Sequence, residues 1–172
     1  MSKKIFLLLL LSLLFGVNVS ATEIVPVTEE QVEDEDSVQL AKELILYDDV
    51  VYKIFDNRAI VLSCTGKTVN IAKTIKHEGK KYKVTTIRTG AFKNTGIKKI
   101  IIGENVEVIK DEVFLNCTKL KTITVKSKKL STIGETAFSG TKKMIIKVPK
   151  KYKSKYKKLF VNKGLSKSTK IK

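Results

Sequence analysis

The 172-residue chain has one His, no Trp, two Pro and only two Cys. A single imidazole leaves little for His-based metal or nucleophile chemistry. Two thiols are too few for a disulfide-dense scaffold or a four-cysteine zinc site, so aliphatic side chains must hold the fold. Acid is scarce as well, with 17 Asp plus Glu against 34 Lys plus Arg and a formal charge of +17. The length admits one ordinary domain. At 42% hydrophobic and 30% charged, the chain is too apolar to be disordered as a whole.

What is present begins with Lys3 and Lys4, an apolar run from Ile5 to Phe15, and the small residues Val19-Ser20-Ala21. This pattern predicts a secretory signal over residues 1–21, cut before Thr22. The run breaks at Gly16 and Asn18, short of the nearly 20 apolar residues that a membrane span needs. The expected mature form is secreted and soluble, with no membrane span, no cysteine placed for a lipid anchor and no C-terminal sorting motif.

Charge divides the remainder. Residues 22–49 carry ten acids and one base, whereas residues 50–172 carry 31 bases and seven acids. The acidic run from Thr28 to Asp36 reads as a solvated leader. After Ser37, the positions of Val38, Ala41, Leu44 and Ile45 fall on one helical stripe and predict a short helix. From residue 50 the period changes to two. Val51 to Phe55 and Ala59 to Leu62 flank Asp56-Asn57 and predict a hairpin. A strand over Val69 to Ile71, a turn over His77 to Lys81 and a strand over Tyr82 to Ile87 follow.

Three internal repeats come next: Ile87-Arg-Thr-Gly-Ala-Phe92, Ile109-Lys-Asp-Glu-Val-Phe114 and Ile133-Gly-Glu-Thr-Ala-Phe138. Each leads, eight or nine residues after its Phe, to a β-like segment at Ile100–Ile102, Ile123–Val125 and Ile146–Val148. A period of 22 to 24 with an apolar-x-apolar strand falls in the leucine-rich repeat range. One unit cannot bury its apolar edge alone. Stacking puts Ile100, Ile123 and Ile146 in one ladder, Ile102, Val125 and Val148 in a second, and Phe92, Phe114 and Phe138 in a third.

The unit Val113-Phe-Leu-Asn-Cys117-Thr-Lys-Leu120-Lys-Thr-Ile123-Thr-Val125, preceded by Val106-Glu-Val-Ile109, resembles the BspA-type leucine-rich repeat of bacterial surface and secreted proteins. Gly79 to Ile87 resembles the module that opens such arrays, and Lys147 to Leu165 the module that closes them. Ala72, Gly103 and Lys126 stand where the pattern has Pro, Thr95 where it has Cys, and Lys143 where it has Leu. The expected fold is α/β, mostly β: a short solenoid of three to four repeats, with an N-terminal β-hairpin module over 50–83, repeats over 84–148 and a basic helical cap over 149–172. The resemblance implies a cell-surface or extracellular role in adhesion or protein interaction.

Cys117 reads as a small apolar residue of the repeat. Cys64 lies more than two units away, too far for a disulfide within the chain, so two free thiols are expected, with a bridge between chains through Cys64 as the alternative. Thr65-Gly66-Lys67-Thr68 ends like a phosphate-binding loop, but Val61 stands where that loop needs Gly. His77 reads as a solvent-facing turn residue. Asp111 and Glu112 are adjacent, point in different directions and suit the start of a short helix better than acid/base work. No enzyme, metal or cofactor is expected.

The C-terminus has 13 Lys and no acid from Lys142 to Lys172. After Pro149, the residues Tyr152, Tyr156, Leu159 and Phe160 recur at helical spacing until Gly164, so the aromatic face should pack on the last repeat. Lys150, Lys151, Lys155 and Lys158 then face outward, as a solvated surface or as an anion-binding one. Because the rings are needed for packing, and the chain carries a secretory signal, nucleic acid is not an expected partner. Strand alternation puts Lys99, Ile101, Thr122, Thr124, Lys126, Ile145 and Lys147 on the outward sheet face. Four strands at about 4.8 Å span only about 15 Å, so this face binds weakly unless oligomerisation or the Lys-rich cap adds to it. The reading is a secreted binding module for a protein or glycan at the cell surface or extracellular matrix. The alternative is a charge-driven binder of anionic wall polymers or glycans, held at the wall by that charge.

Overall fold

The computed structural model describes residues 44–172. The signal, its cleavage site and the acidic leader lie outside the described residues. So does the short helix expected around Val38, except for Leu44 and Ile45, which open the first strand.

Three strands, β1 (Leu44–Tyr47), β2 (Val50–Phe55) and β3 (Arg58–Cys64), run as a meander. The expected hairpin is β2–β3, closed at Asp56-Asn57 with Phe55 opposite Arg58. Asp56 takes φ 55°, as such tight turns require. After β4 (Thr68–Asn70), a second hairpin joins β5 (Thr74–His77) to β6 (Lys80–Ile87). His77 pairs with Lys80, so the turn expected over His77 to Lys81 contracts to Glu78-Gly79, both at positive φ. β5 buries only Ile75, too little alternation to mark a strand in the sequence.

The coils follow as β7 (Lys99–Ile102), β8 (Val108–Ile109), β9 (Thr122–Val125), β10 (Thr132–Ile133) and β11 (Ile145–Lys147). A 3-10 turn at Lys150–Tyr152, α1 (Lys153–Leu159) and β12 (Lys170–Ile171) close the chain. Strands alternate between two sheets. A seven-stranded sheet runs β1-β2-β3-β6-β8-β10 with β5 beside β6, and a five-stranded sheet runs β12-β11-β9-β7-β4. Pairing from β3 through β6 and β8 to β10 is parallel, as is all pairing in the five-stranded sheet. The result is the expected mostly β leucine-rich solenoid, with about five turns, since β4 and β12 extend the repeats at both ends.

The predicted ladders form, except that Val148, expected next to Val125, follows the end of β11 and is half-buried. Val69, Ile100, Ile123, Ile146 and Ile171 share one register across the five-stranded sheet, and Ile102 lies opposite Val125. Val61, Ile87, Ile109 and Ile133 do the same across the other sheet. Phe92, Phe114 and Phe138 stack between the sheets with centroids 5.5 and 5.1 Å apart, and Phe160 of the cap adds a fourth ring at 5.6 Å. Each ring is carried by one coil, so the strand spacing of about 4.8 Å sets the ring spacing.

Hydrogen bonds between coils hold the Phe turns. The Phe114 N–H donates to the Ala137 carbonyl and the Phe138 N–H to the Lys163 carbonyl. Three residues beyond each Phe stands a small donor. The Thr95 and Thr141 hydroxyls bond the Phe92 and Phe138 carbonyls at 2.7 and 2.6 Å, and the Cys117 thiol reaches the Phe92 carbonyl at 2.9 Å. Thr therefore serves where the repeat pattern has Cys, because the position asks for a compact group with one donor. Gly140, at φ 72°, is required, since a Cβ there would overlap the Asn116 side chain.

The cap helix is shorter than expected. It ends at Leu159, before the positive-φ residues Asn162 and Gly164, and the chain returns as β12. Tyr156 and Phe160 are buried, as the aromatic spacing predicts, while Tyr152 and Leu159 are half-buried. The Tyr156 hydroxyl donates to the Ser127 carbonyl at 2.5 Å. Ser127 is itself fully buried; its hydroxyl donates to the Val106 carbonyl and accepts the Lys129 and Leu130 N–H groups.

Candidate functional site

In the five-stranded sheet the inward places go to Ile100, Ile102, Ile123 and Val125, so every alternate residue faces outward. Parallel register then stacks the outward residues into columns. One runs Thr68, Lys99, Thr122, Ile145, Lys170 and the next Asn70, Ile101, Thr124, Lys147. Six of the seven residues expected on the binding face thus meet in two adjacent columns. The seventh, Lys126, follows β9 directly and donates its N–H to the Ile102 carbonyl. Lys99, Lys126 and Lys147 are exposed, and Ile101, Thr122, Thr124 and Ile145 are half-buried. Five strands rather than four lengthen the face to about 19 Å.

The cap lysines Lys150, Lys151, Lys155 and Lys158 are all exposed, the first two on the 3-10 turn and the others on α1. Lys155 Nζ lies 5.8 Å from the centre of the Tyr156 ring, within range of a cation–π contact. A further basic concavity was not legible in the sequence. Asn57, Arg58, Lys81, Lys83 and Thr85 line it, and it exists because β3 and β6, 25 residues apart at Arg58 and Lys83, pair in parallel.

The titratable groups have local duties. His77 Nε2 is 3.9 Å from Glu78 Oε1 at the β5–β6 turn, with the His77 side chain 37% exposed. Glu112 takes φ 57° and pairs with Lys93 at 2.8 Å, whereas Asp111 Oδ1 accepts from the Thr136 N–H and hydroxyl at 3.3 Å. The two carboxylates face different partners. They sit on a turn rather than at the start of a helix, because Glu112 leaves the helical region. Cys64 and Cys117 are free and buried. Burial pushes the Cys64 thiol up to about 12 and raises that of Cys117, so neither is a thiolate nucleophile near neutrality. Among the described residues no group of three His, Cys, Asp or Glu side chains could hold a metal ion, and no helix is long and apolar enough to cross a membrane.

Two walls of parallel strands, one Phe per turn and a basic outward face define a leucine-rich repeat solenoid. Residues 63–172 match the BspA type leucine rich repeat region, and the chain belongs to that family. No curated protein matches it. Among solved structures it is similar to a leucine-rich repeat protein from Bacteroides capillosus, at 19% identity over 76% of this chain and 99% of that one, with a TM-score of 0.55. It is also similar to a leucine rich cell surface protein from Faecalibacterium prausnitzii, at 20% identity over 62% of this chain, with a TM-score of 0.50. The chain spans 37% of the Faecalibacterium protein. At these identities the likeness is one of fold.

Proposed function

We propose that the chain is a secreted, non-enzymatic binding module that engages a protein or glycan at the cell surface through the outward face of its five-stranded sheet. The observation that carries this reading is the pair of columns through Lys99, Thr122 and Ile145 and through Ile101, Thr124 and Lys147. Their backbone groups are already paired within the sheet, so recognition falls to the side chains, which mix apolar, hydroxyl and cationic groups. Membership of the BspA-type family and the likeness to a bacterial cell surface protein support a surface location. Adhesion of the purified chain to intact cells and to extracellular matrix tests the reading. The double variant Ile101→Asp/Thr124→Arg should fold normally and lose adhesion; retained adhesion would sink the proposal.

A second reading has its own observation, the 13 uncompensated lysines after Thr141. Here the cap residues Lys150, Lys151, Lys155 and Lys158 retain an anionic wall polymer by charge. Retention would then fall steeply between low and physiological salt, because exposed charges are screened within about 10 Å at 0.1 M.

A further inference from the structure

The parallel register gathers a set of lysines that are scattered in the chain and separate from the cap helix. The three residues before each strand of the five-stranded sheet read Thr65-Gly-Lys67, Gly96-Ile-Lys98, Lys119-Leu-Lys121, Lys142-Lys-Met144 and Lys167-Ser-Thr169. These hold seven lysines and no acid, all seven are exposed, and Lys99 and Lys170 extend the set just inside the strands. Backbone hydrogen bonds align the rows. The Lys98 N–H donates to the Lys67 carbonyl at 2.7 Å, the Lys121 N–H to the Lys98 carbonyl at 2.9 Å, and the Ile145 N–H to the Lys121 carbonyl at 2.9 Å. Lys67, Lys98 and Lys121 therefore sit one strand spacing apart, about 4.8 Å. Like charges directly across neighbouring strands destabilise a sheet, and among the described residues none of the three is in an ion pair. Asp49 reaches this edge, beside Gly66 at its N-terminal end. Glu104 lies five residues beyond Lys99, past the far end of β7.

We infer that this leading edge is a track for an extended anionic polysaccharide that crosses the coils at right angles to the strands. The inference rests on the reading that the five-stranded sheet is the binding wall, and it names the partner and its direction. Charge complementarity selects a polyanion, and an edge with at least one exposed lysine on each of the five coils, three of them aligned as Lys67, Lys98 and Lys121, selects a linear one. The adjacent columns choose the class. Thr68, Thr122, Asn70 and Thr124 offer hydroxyl and amide groups suited to sugar hydroxyls, and the columns contain no aromatic ring on which a nucleic-acid base could stack. The cations are lysines, compact point charges that suit sulfate or carboxylate groups without a fixed planar geometry.

Heparin fragments from disaccharide to decasaccharide, titrated by calorimetry at low and physiological salt, test the inference. Affinity should rise with fragment length until the ligand spans the five strands, about 19 Å. The variant Lys67→Gln/Lys98→Gln/Lys121→Gln should weaken the longer fragments roughly tenfold, about twofold for each exposed charge removed, with an unchanged melt. The cap variant Lys151→Gln/Lys155→Gln/Lys158→Gln should bind within about twofold of the parent. A single-stranded oligonucleotide of equal charge should bind more weakly than heparin. The track is overturned if affinity is independent of length, if the cap variant loses binding while the edge variant keeps it, or if the oligonucleotide binds better. Should no fragment bind at low salt, the track fails, and the adhesion assay with Ile101→Asp/Thr124→Arg still decides the binding-module reading on its own.

Discussion

The two walls of the solenoid share one repeat and differ in what they leave exposed. In the seven-stranded sheet β8 and β10 are two residues long and each adds one inward side chain, Ile109 or Ile133. In the five-stranded sheet β7 and β9 are four residues long and each adds two, Ile100 with Ile102 and Ile123 with Val125. The longer strand also produces two outward columns. Charge follows the same division, since all five acids between Gly103 and Thr136 lie within four residues of β8 or β10, while the three-residue leads into the strands of the other sheet hold lysines and no acid. One repeat can therefore build walls with unequal surfaces, because strand length and the residues at strand ends are free once the inward ladder is filled.

The hardest way to break this pairing of walls is to remove a ring that both share. Phe114 is fully buried and stacks on Phe92 and Phe138. Phe114→Ala should cost about 3 to 5 kcal/mol in thermal or denaturant melts, and a melt like the parent's would show that the ring column is not the core.

The next tests separate the walls. A Cβ at Gly103 would lie 2.5 Å from the Ile71 carbonyl oxygen, at the end of a strand in the five-stranded sheet. Gly103→Ala should therefore destabilise by about 1 to 3 kcal/mol, although the repeat pattern has the larger Pro there. Ser127→Ala, between the walls, strands the buried Val106 carbonyl and two N–H groups, with an expected loss of about 1 to 3 kcal/mol. Denaturant midpoints for both variants give the comparison, and parent-like values would contradict these contacts.

Alkaline titration reads the core through its ionisable groups. Burial raises Cys64 from 9.0 to about 12 and Tyr52 from 10.0 to about 12. Within that window the folded chain holds more protons than the unfolded chain, so stability falls as pH rises. The stabilisation is complete below about pH 9 and lost by about pH 12, measured as a falling urea midpoint. The smallest effect belongs to the surface. Lys151→Gln/Lys155→Gln/Lys158→Gln should shift stability by no more than about 0.5 kcal/mol, and a larger loss in the melt would mean that these side chains support the cap.

How far the chain can be read unaided varies from element to element. Ile100, Ile123 and Ile146 were legible as a ladder because they recur at a nearly fixed distance from Phe92, Phe114 and Phe138. The outward columns followed from the same register by alternation alone. β8, β10 and β12 were not legible as strands, since two residues carry no period. Phe160 was legible as part of an aromatic helix face, yet its place at the end of the Phe column depends on a cap helix that stops at Leu159.

The sequence by itself determined the repeat, the inward ladders and the basic C-terminus, because each rests on spacing or composition within one stretch of chain. Tertiary structure decided which distant residues share a surface. Lys67 and Lys98 are 31 positions apart and Lys98 and Lys121 are 23, and no local pattern relates them. Parallel hydrogen bonding between coils sets that relation, and it converts separate lysines into one row.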